Sequence, residues 1–192
     1  DSYGEGGNHF IHNIRRNVDI THFVHDNQIY GLTKGQASPT TGLGHVTEVQ
    51  VVGNVNPPLN PVLVAIALGA GFVARAFSGE KEHLTSIMVE AIKHKGYSLV
   101  DILQPCVSFN KVNTFQWYSK RVYKLDESYD PTNKLKAMEK AMEWGDRIPI
   151  GIIYREEKPT YCDKIEFLRE GPPLVDRPVD LQKIKGYLND FI

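Results

Sequence analysis

The sequence predicts an α/β protein built on a parallel sheet. Two observations carry this. Short strand-like runs alternate with helix-length segments from residue 8 to residue 103, and alternation of that kind puts helices against a parallel sheet. The helical segments also carry their own start and stop signals. Asn60 caps a helix with Pro61 at its first position and Gly69 past its end.

In chain order, Asn8 to Arg16 reads as a helix with Asn8 as its cap and Phe10, Ile11 and Ile14 near helical spacing. Val18 to Val24 alternates in the strand manner and is stopped by His25-Asp26-Asn27. Residues 31 to 53 are rich in Gly, Thr, Ser and Pro, and a polar stretch of that length in a compact domain is functional or disordered. Phe72 to Phe77 reads as a strand. Glu80 to Lys95 is the clearest helix, with Leu84, Ile87, Met88, Ala91 and Ile92 on one face and Gly96 as its stop. Tyr97 to Leu103 is the next strand. Beyond Cys106, Thr114 to Lys124 is aromatic and basic and reads as helix. Pro131 to Trp144 reads as an amphipathic helix, Ile148 to Tyr154 as a strand, and Val179 to Phe191 as a last helix after the Gly171-Pro172-Pro173 linker. A soft boundary near residues 110–113 divides the chain into residues 1–110 and 111–192.

The composition excludes some function classes. Of the 192 residues, 41% are hydrophobic and 23% charged, which is globular and long enough for a core without staples. A net charge of −1 gives no electrostatic footprint for nucleic acid. The apolar stretch from Pro61 to Phe77 is too short and too interrupted to span a bilayer. Two cysteines are too few for a secreted disulfide framework, so a reducing cytoplasm is expected.

Several residues could carry chemistry. Asn27, directly after a strand, offers a carbonyl oxygen of the kind magnesium takes, with a nearby backbone carbonyl as a second. An Asp-Asn pair equally suits a plain turn. The segment Gly31-Leu32-Thr33-Lys34-Gly35-Gln36 could cradle phosphate, although its spacing is not that of a P-loop. Cys106 stands at a strand end with no second cysteine at metal-binding spacing, as a buried free thiol would. His9 and His12 share a helix face, with no carboxylate or cysteine evident to complete a metal site. These residues alone name no activity.

The order of the pieces resembles one family. Gly-Gly-Asn-His-Phe-Ile-His at 6–12, Arg-Arg-Asn at 15–17, Asp-Asn-Gln-Ile-Tyr-Gly-Leu-Thr-Lys-Gly-Gln at 26–36, Ser-Pro-Thr-Thr at 38–41 and Gln-Pro-Cys at 104–106 resemble the beta subunit of 2-oxoacid:ferredoxin oxidoreductases. The run at 26–36 is the most specific of these. The resemblance implies a three-layer α/β fold of the thiamine diphosphate-binding type, with an α+β C-terminal extension. It implies thiamine diphosphate held on Mg²⁺, with Asn27 giving a side-chain oxygen and Ile29 a backbone oxygen to the metal. Asp1, Gly31 and Leu32 match positions lining the diphosphate.

The family's Gly-Asp-Gly motif would fall just before Asp1, so its metal-binding Asp is not in this sequence. The family also holds a 4Fe-4S cluster. Cys106 matches one ligand, and the other three belong to a front segment that this sequence does not include. The cluster and the full magnesium site would need that segment. The implied enzyme works with an alpha subunit. It converts a 2-oxoacid and coenzyme A to acyl-CoA and CO₂ and reduces ferredoxin. Gly-Leu-Thr-Lys-Gly-Gln is closer to the 2-oxoglutarate or broad-specificity members, where Lys34 could meet a substrate carboxylate. The other readings are a non-redox thiamine diphosphate decarboxylase or synthase, and a binding fragment without turnover.

Overall fold

The structure, a computed structural model, describes residues 1–191. It has two compact units, Asp1–Tyr161 and the segment from Cys162 onward. In the first, the elements run α1 (Gly7–Arg16), β1 (Thr21–Asp26), α2 (Pro61–Leu68), β2 (Phe72–Phe77), α3 (Lys81–Lys93), β3 (Ser98–Leu103), α4 (Phe115–Ser119), β4 (Val122–Lys124), α5 (Lys134–Met142) and β5 (Ile148–Arg155). The five strands form one sheet in the order β1-β3-β2-β5-β4.

The sheet is parallel across β1, β3 and β2, with Thr21 and Phe72 both in register with Ser98. It is not parallel throughout. β5 runs antiparallel to β2, with an irregularity at Val73/Ala74. The parallel part is thus β1, β3 and β2, and β5, which belongs to the α+β C-terminal extension, joins the sheet between β2 and β4.

Both faces are covered. Val24, Val73, Leu99 and Ile153 pack under Phe10 and Ile14 of α1, Ala65 and Ile66 of α2 and Ala137 and Ala141 of α5. Ala74, Ala76, Val100 and Ile102 pack on the other face against Ile87 and Ala91 of α3. Strands buried on both faces are the expected partners of crossover helices, and the result is three layers.

Local signals placed most boundaries. The Asn60 side chain accepts the Leu63 N–H at 3.0 Å, and Gly69 closes α2 in the left-handed conformation. The α1 cap is Gly6 and not Asn8, and β1 begins at Thr21 and runs through Asp26. The helix read over 114–124 is two elements: α4, capped by the Thr114 side chain, and then β4 paired with β5.

Asn17 ties the layers together. Buried, with φ 53°, its Oδ1 accepts the Tyr97 N–H at 3.0 Å and its Nδ2 donates to the Pro159 carbonyl at 3.0 Å. Its side chain fills the space a Cβ on Gly96 would need, at 2.6 Å. Asn17→Ala leaves these buried groups unpaired and is expected to cost about 2–4 kcal/mol, since each orphaned group costs roughly 1–3 kcal/mol. Urea unfolding measures this, and a loss under about 1 kcal/mol would show that water replaces the side chain.

The second unit holds α6 (Glu166–Arg169), α7 (Leu181–Leu188) and two 3₁₀ turns. Arg177 organises it. The guanidinium donates to the carbonyls of Pro172, Phe167 and Glu170 at 2.7, 2.7 and 2.9 Å and lies over the Phe167 ring. The last helix is shorter than the sequence suggested, because it tightens to a 3₁₀ turn at Asn189–Phe191.

Candidate functional site: the C-terminal end of β1

Parallel strands leave a crevice at their C-terminal ends, and the candidate site lies there. Asp26 closes β1, and the chain then turns on side-chain acceptors. Asp26 Oδ1 accepts the Gln28 N–H at 3.0 Å, and Asn27 Oδ1 accepts the Ile29 N–H at 3.1 Å. Gln28 is left-handed, with φ 56°. The Ser-Pro-Thr-Thr motif pins the turn from behind. Thr40 donates to Asp26 Oδ1 at 2.6 Å and Thr41 to the Gln28 carbonyl at 2.6 Å.

Residues 31–36 form a closed loop. Tyr30 N–H donates to the Gln36 carbonyl at 2.9 Å and Gly35 N–H to the Tyr30 carbonyl at 2.7 Å. Lys34 and Gly35 both have positive φ. A Cβ on Gly35 would also lie 3.4 Å from the Phe109 ring.

Cys106 reaches the same place from the end of β3. A Cβ on Gly31 would sit 3.8 Å from Asn27 Nδ2 and 4.0 Å from Cys106 Sγ, so these three residues converge. Asn110 latches the cysteine loop to β1 by donating to the Asn27 carbonyl at 3.2 Å. Cys106 Sγ accepts the Phe109 N–H at 3.4 Å. Burial pushes this thiol up, but the amides of Phe109, Ser108 and Asn110, with Lys111 nearby, outweigh it and hold the pKa below its ordinary value.

The other predicted residues lie around this centre. Ile29 is buried. Leu32 is 96% exposed, so only its backbone could line a site. The Lys34 side chain is exposed and takes no hydrogen-bond or ion-pair partner among the described residues. Asp1 belongs to a turn that packs on the same loop: its carbonyl accepts the Gly6 N–H, and Tyr30 Oη donates to Glu5 at 3.2 Å. His9 and His12 join no metal-binding group. Among the described residues no three His, Cys, Asp or Glu side chains come together as a metal site.

The fit to the implied groups is partial. Asn27 and Ile29 bring hard oxygens to one turn, as a divalent ion bridging phosphates requires, and the missing side chain of Gly31 leaves room beside them. For a cluster the site offers one thiol, whose pKa is held below its ordinary value by the surrounding amides.

A buried ionic pair, Arg75 and Asp101, lies outside every motif read from the sequence. Arg75 in β2 and Asp101 in β3 point to the same face of the sheet, with Nε and Oδ2 4.0 Å apart. Tyr3 donates to Asp101 Oδ1 at 2.9 Å. Burial raises the carboxyls of Asp101 and Asp26 and lowers the Arg75 guanidinium. The signal was visible, as a single charge in each of two otherwise apolar strands.

The sequence and the fold both match known proteins. Residues 2–102 match the family described as thiamine pyrophosphate enzyme, C-terminal TPP binding domain, and residues 106–170 match the C-terminal family of the pyruvate ferredoxin oxidoreductase beta subunit. The chain is 47% identical over 190 residues to a 2-oxoacid:ferredoxin oxidoreductase subunit beta of Saccharolobus solfataricus, covering 93% of this chain and 62% of that one. It is 46% identical over 110 residues to the 2-oxoglutarate oxidoreductase subunit KorB of Mycobacterium tuberculosis, covering 57% of this chain and 30% of that one. A solved 2-oxoglutarate:ferredoxin oxidoreductase from Magnetococcus marinus, with 2-oxoglutarate, coenzyme A and succinyl-CoA bound, superposes with a TM-score of 0.86 at 34% identity, over 96% of this chain and 63% of that one. The chain thus spans about three fifths of the length of several of the relatives it matches. The match over residues 2–102 places the chain in the thiamine pyrophosphate enzyme family, and the relatives it is similar to are beta subunits of 2-oxoacid:ferredoxin oxidoreductases and a solved enzyme of that type.

Proposed function

We propose that this chain supplies the cofactor-binding part of an enzyme that oxidatively decarboxylates a 2-oxoacid with coenzyme A, giving acyl-CoA and CO₂ and reducing ferredoxin. The observation that carries the proposal is the convergence of Asn27, Gly31 and Cys106 beyond the adjacent C-terminal ends of β1 and β3. It brings a hard-oxygen turn and a thiol of lowered pKa together, as an enzyme pairing thiamine diphosphate with a one-electron carrier requires. The thiol speaks against a non-redox decarboxylase.

In this reading Asn27 Oδ1 and the Ile29 carbonyl hold Mg²⁺, while Asp1, Gly31 and the backbone of Leu32 line the diphosphate. Asn27 Oδ1 can serve both the Ile29 N–H and a metal, because a carbonyl oxygen has two lone pairs. Bound thiamine diphosphate supplies the electron sink for decarboxylation. Cys106 is one ligand of a 4Fe-4S cluster, and its amide shell stabilises the thiolate. Residues 1–110 carry the cofactor half and 111–192 the family-specific part, a division supported by the two family matches meeting between residues 102 and 106.

The partners are an alpha subunit, ferredoxin, coenzyme A and the 2-oxoacid, in a cytoplasmic heteromer; neither nucleic acid nor a membrane is a partner. No helix among the described residues is long and apolar enough to cross a bilayer. The test is ferredoxin reduction by the assembled enzyme. It should require thiamine diphosphate, a 2-oxoacid and coenzyme A together, and CO₂ release without ferredoxin reduction would favour the non-redox reading.

Lys34 is the residue proposed to bias substrate choice, its exposed ammonium meeting the second carboxylate of 2-oxoglutarate. Charge pairing in a partly dried site exceeds the same pairing in water, but the ammonium must shed hydration first. Lys34→Ala should lower kcat/KM for 2-oxoglutarate about 10–100-fold, or about 1.4–2.7 kcal/mol, and that for pyruvate much less. An equal fall on both substrates would assign Lys34 to the loop, and no change on either would make it a solvated side chain.

A further inference from the structure

The turn of residues 1–6 packs directly against the loop that follows Asn27. A Cβ on Gly4 would lie 2.5 Å from Tyr30 Oη and 3.3 Å from Pro39. Tyr3 is the only large apolar side chain in residues 1–9, and it carries the turn into the core. Its ring packs edge-on against Phe10 of α1, with centroids 5.3 Å apart. Its hydroxyl donates to Asp101 Oδ1 at 2.9 Å. Asp101 is buried in β3, in register with Val24 of β1 and Arg75 of β2. Its Oδ2 faces Arg75 Nε at 4.0 Å, and Arg75 Nη2 donates in turn to the Ala141 carbonyl of α5 at 3.2 Å. The carboxyl is thus oriented from behind. It keeps an oxygen for Tyr3 whether ionised or protonated, so the bond survives the raised pKa of Asp101. Other side-chain bonds from this turn are weaker. Glu5 accepts from Tyr30 at 3.2 Å in an exposed pair, and Ser2 Oγ lies 3.4 Å from His22 Nε2, long for a hydrogen bond.

We propose that Tyr3 is a positioning residue for the cofactor: its hydroxyl, held by Asp101, fixes the turn of Asp1 opposite the Asn27 turn, so that both sides line one diphosphate. This rests on the reading of Asp1 and Asn27 given under the proposed function. The physical need is entropic. Gly4, Gly6 and Gly7 make the segment free to move, and glycine loses more freedom on ordering than any other residue. The backbone bonds from Gly6 N–H to the Asp1 carbonyl and from Gly7 N–H to the Gly4 carbonyl close the turn on itself, and Tyr3 ties it to β3. A turn ordered before the ligand arrives spares binding that ordering cost. The gain therefore appears in cofactor affinity and not in turnover.

The test is Tyr3→Phe in the assembled enzyme, which removes one oxygen and keeps the ring on Phe10. Hydrogen exchange across residues 1–7 of the cofactor-stripped variant should quicken. Calorimetric titration with thiamine diphosphate in excess Mg²⁺ should show affinity at least about 5-fold weaker, within the roughly 10-fold or more that a hydrogen bond to a charged group is worth. At saturating cofactor kcat should equal the parent's, because no group at the reacting atoms has changed. Ile153→Val is the control for stability alone. It trims the same core from β5 and should lower the unfolding midpoint while leaving cofactor affinity within about 2-fold of the parent's. Unchanged exchange in Tyr3→Phe, or affinity within about 2-fold of the parent's, would overturn the proposal while leaving the cofactor reading intact. An equal loss of affinity in Ile153→Val would also overturn it, reducing Tyr3 to general stability. No thiamine diphosphate binding by the parent enzyme would overturn the cofactor reading itself, and this inference with it.

Discussion

An Asn27→Ala variant of the assembled enzyme is expected to bind thiamine diphosphate and Mg²⁺ at least about 10–100-fold more weakly than its parent. A methyl group cannot replace a hard oxygen ligand, and the two-lone-pair oxygen at this turn also holds the Ile29 N–H. Part of any loss could therefore come from a disordered turn. Asn27→Asp separates the two causes, because it keeps an oxygen for both the metal and the Ile29 amide. Calorimetry should show cofactor affinity largely restored in the aspartate variant and lost in the alanine variant. Unchanged affinity in Asn27→Ala would remove this residue from the site.

The second large effect is expected at Cys106. Cys106→Ala should lose cluster iron and electron transfer to ferredoxin while thiamine diphosphate still binds. Cys162→Ala should lose neither. The contrast is physical: Cys106 is half-buried beside Asn27 with amide N–H groups directed at its sulfur, whereas Cys162 is exposed in the second unit. Iron and acid-labile sulfide analysis, with the cluster's electron paramagnetic resonance signal, reads this without depending on turnover. Full iron content and normal ferredoxin reduction in Cys106→Ala would defeat the assignment.

The lowered pKa of Cys106 supports that role. Four-iron clusters are held by thiolates, and an amide shell favours the deprotonated sulfur before any metal arrives. The same loop explains why Asn110 matters although no motif marked it. Its Oδ1 accepts the N–H groups of Val112 and Asn113 at 3.1 and 2.9 Å, and its Nδ2 reaches the Asn27 carbonyl, so one side chain couples both halves of the site.

By itself the sequence determined the elements whose ends carry local chemistry. Asn60, Pro61 and Gly69 bounded α2 because a cap, a donor-less first residue and a left-handed stop act within a few residues of the chain. β2 was read to its ends and β3 to within a residue, since period and turn residues are also local. Asn27 and Cys106 were singled out as candidates through motif order, not through their immediate neighbours. The tertiary structure alone decided the rest. β5 runs antiparallel, and β4 exists because Val122–Lys124 finds β5 to pair with; strand direction and edge pairing depend on where a distant segment returns. The Arg75–Asp101 pair was likewise outside local reach. Each charge sits in an apolar strand where propensity says only that it is out of place, and only the parallel register of β2 on β3 sets Arg75 beside Asp101.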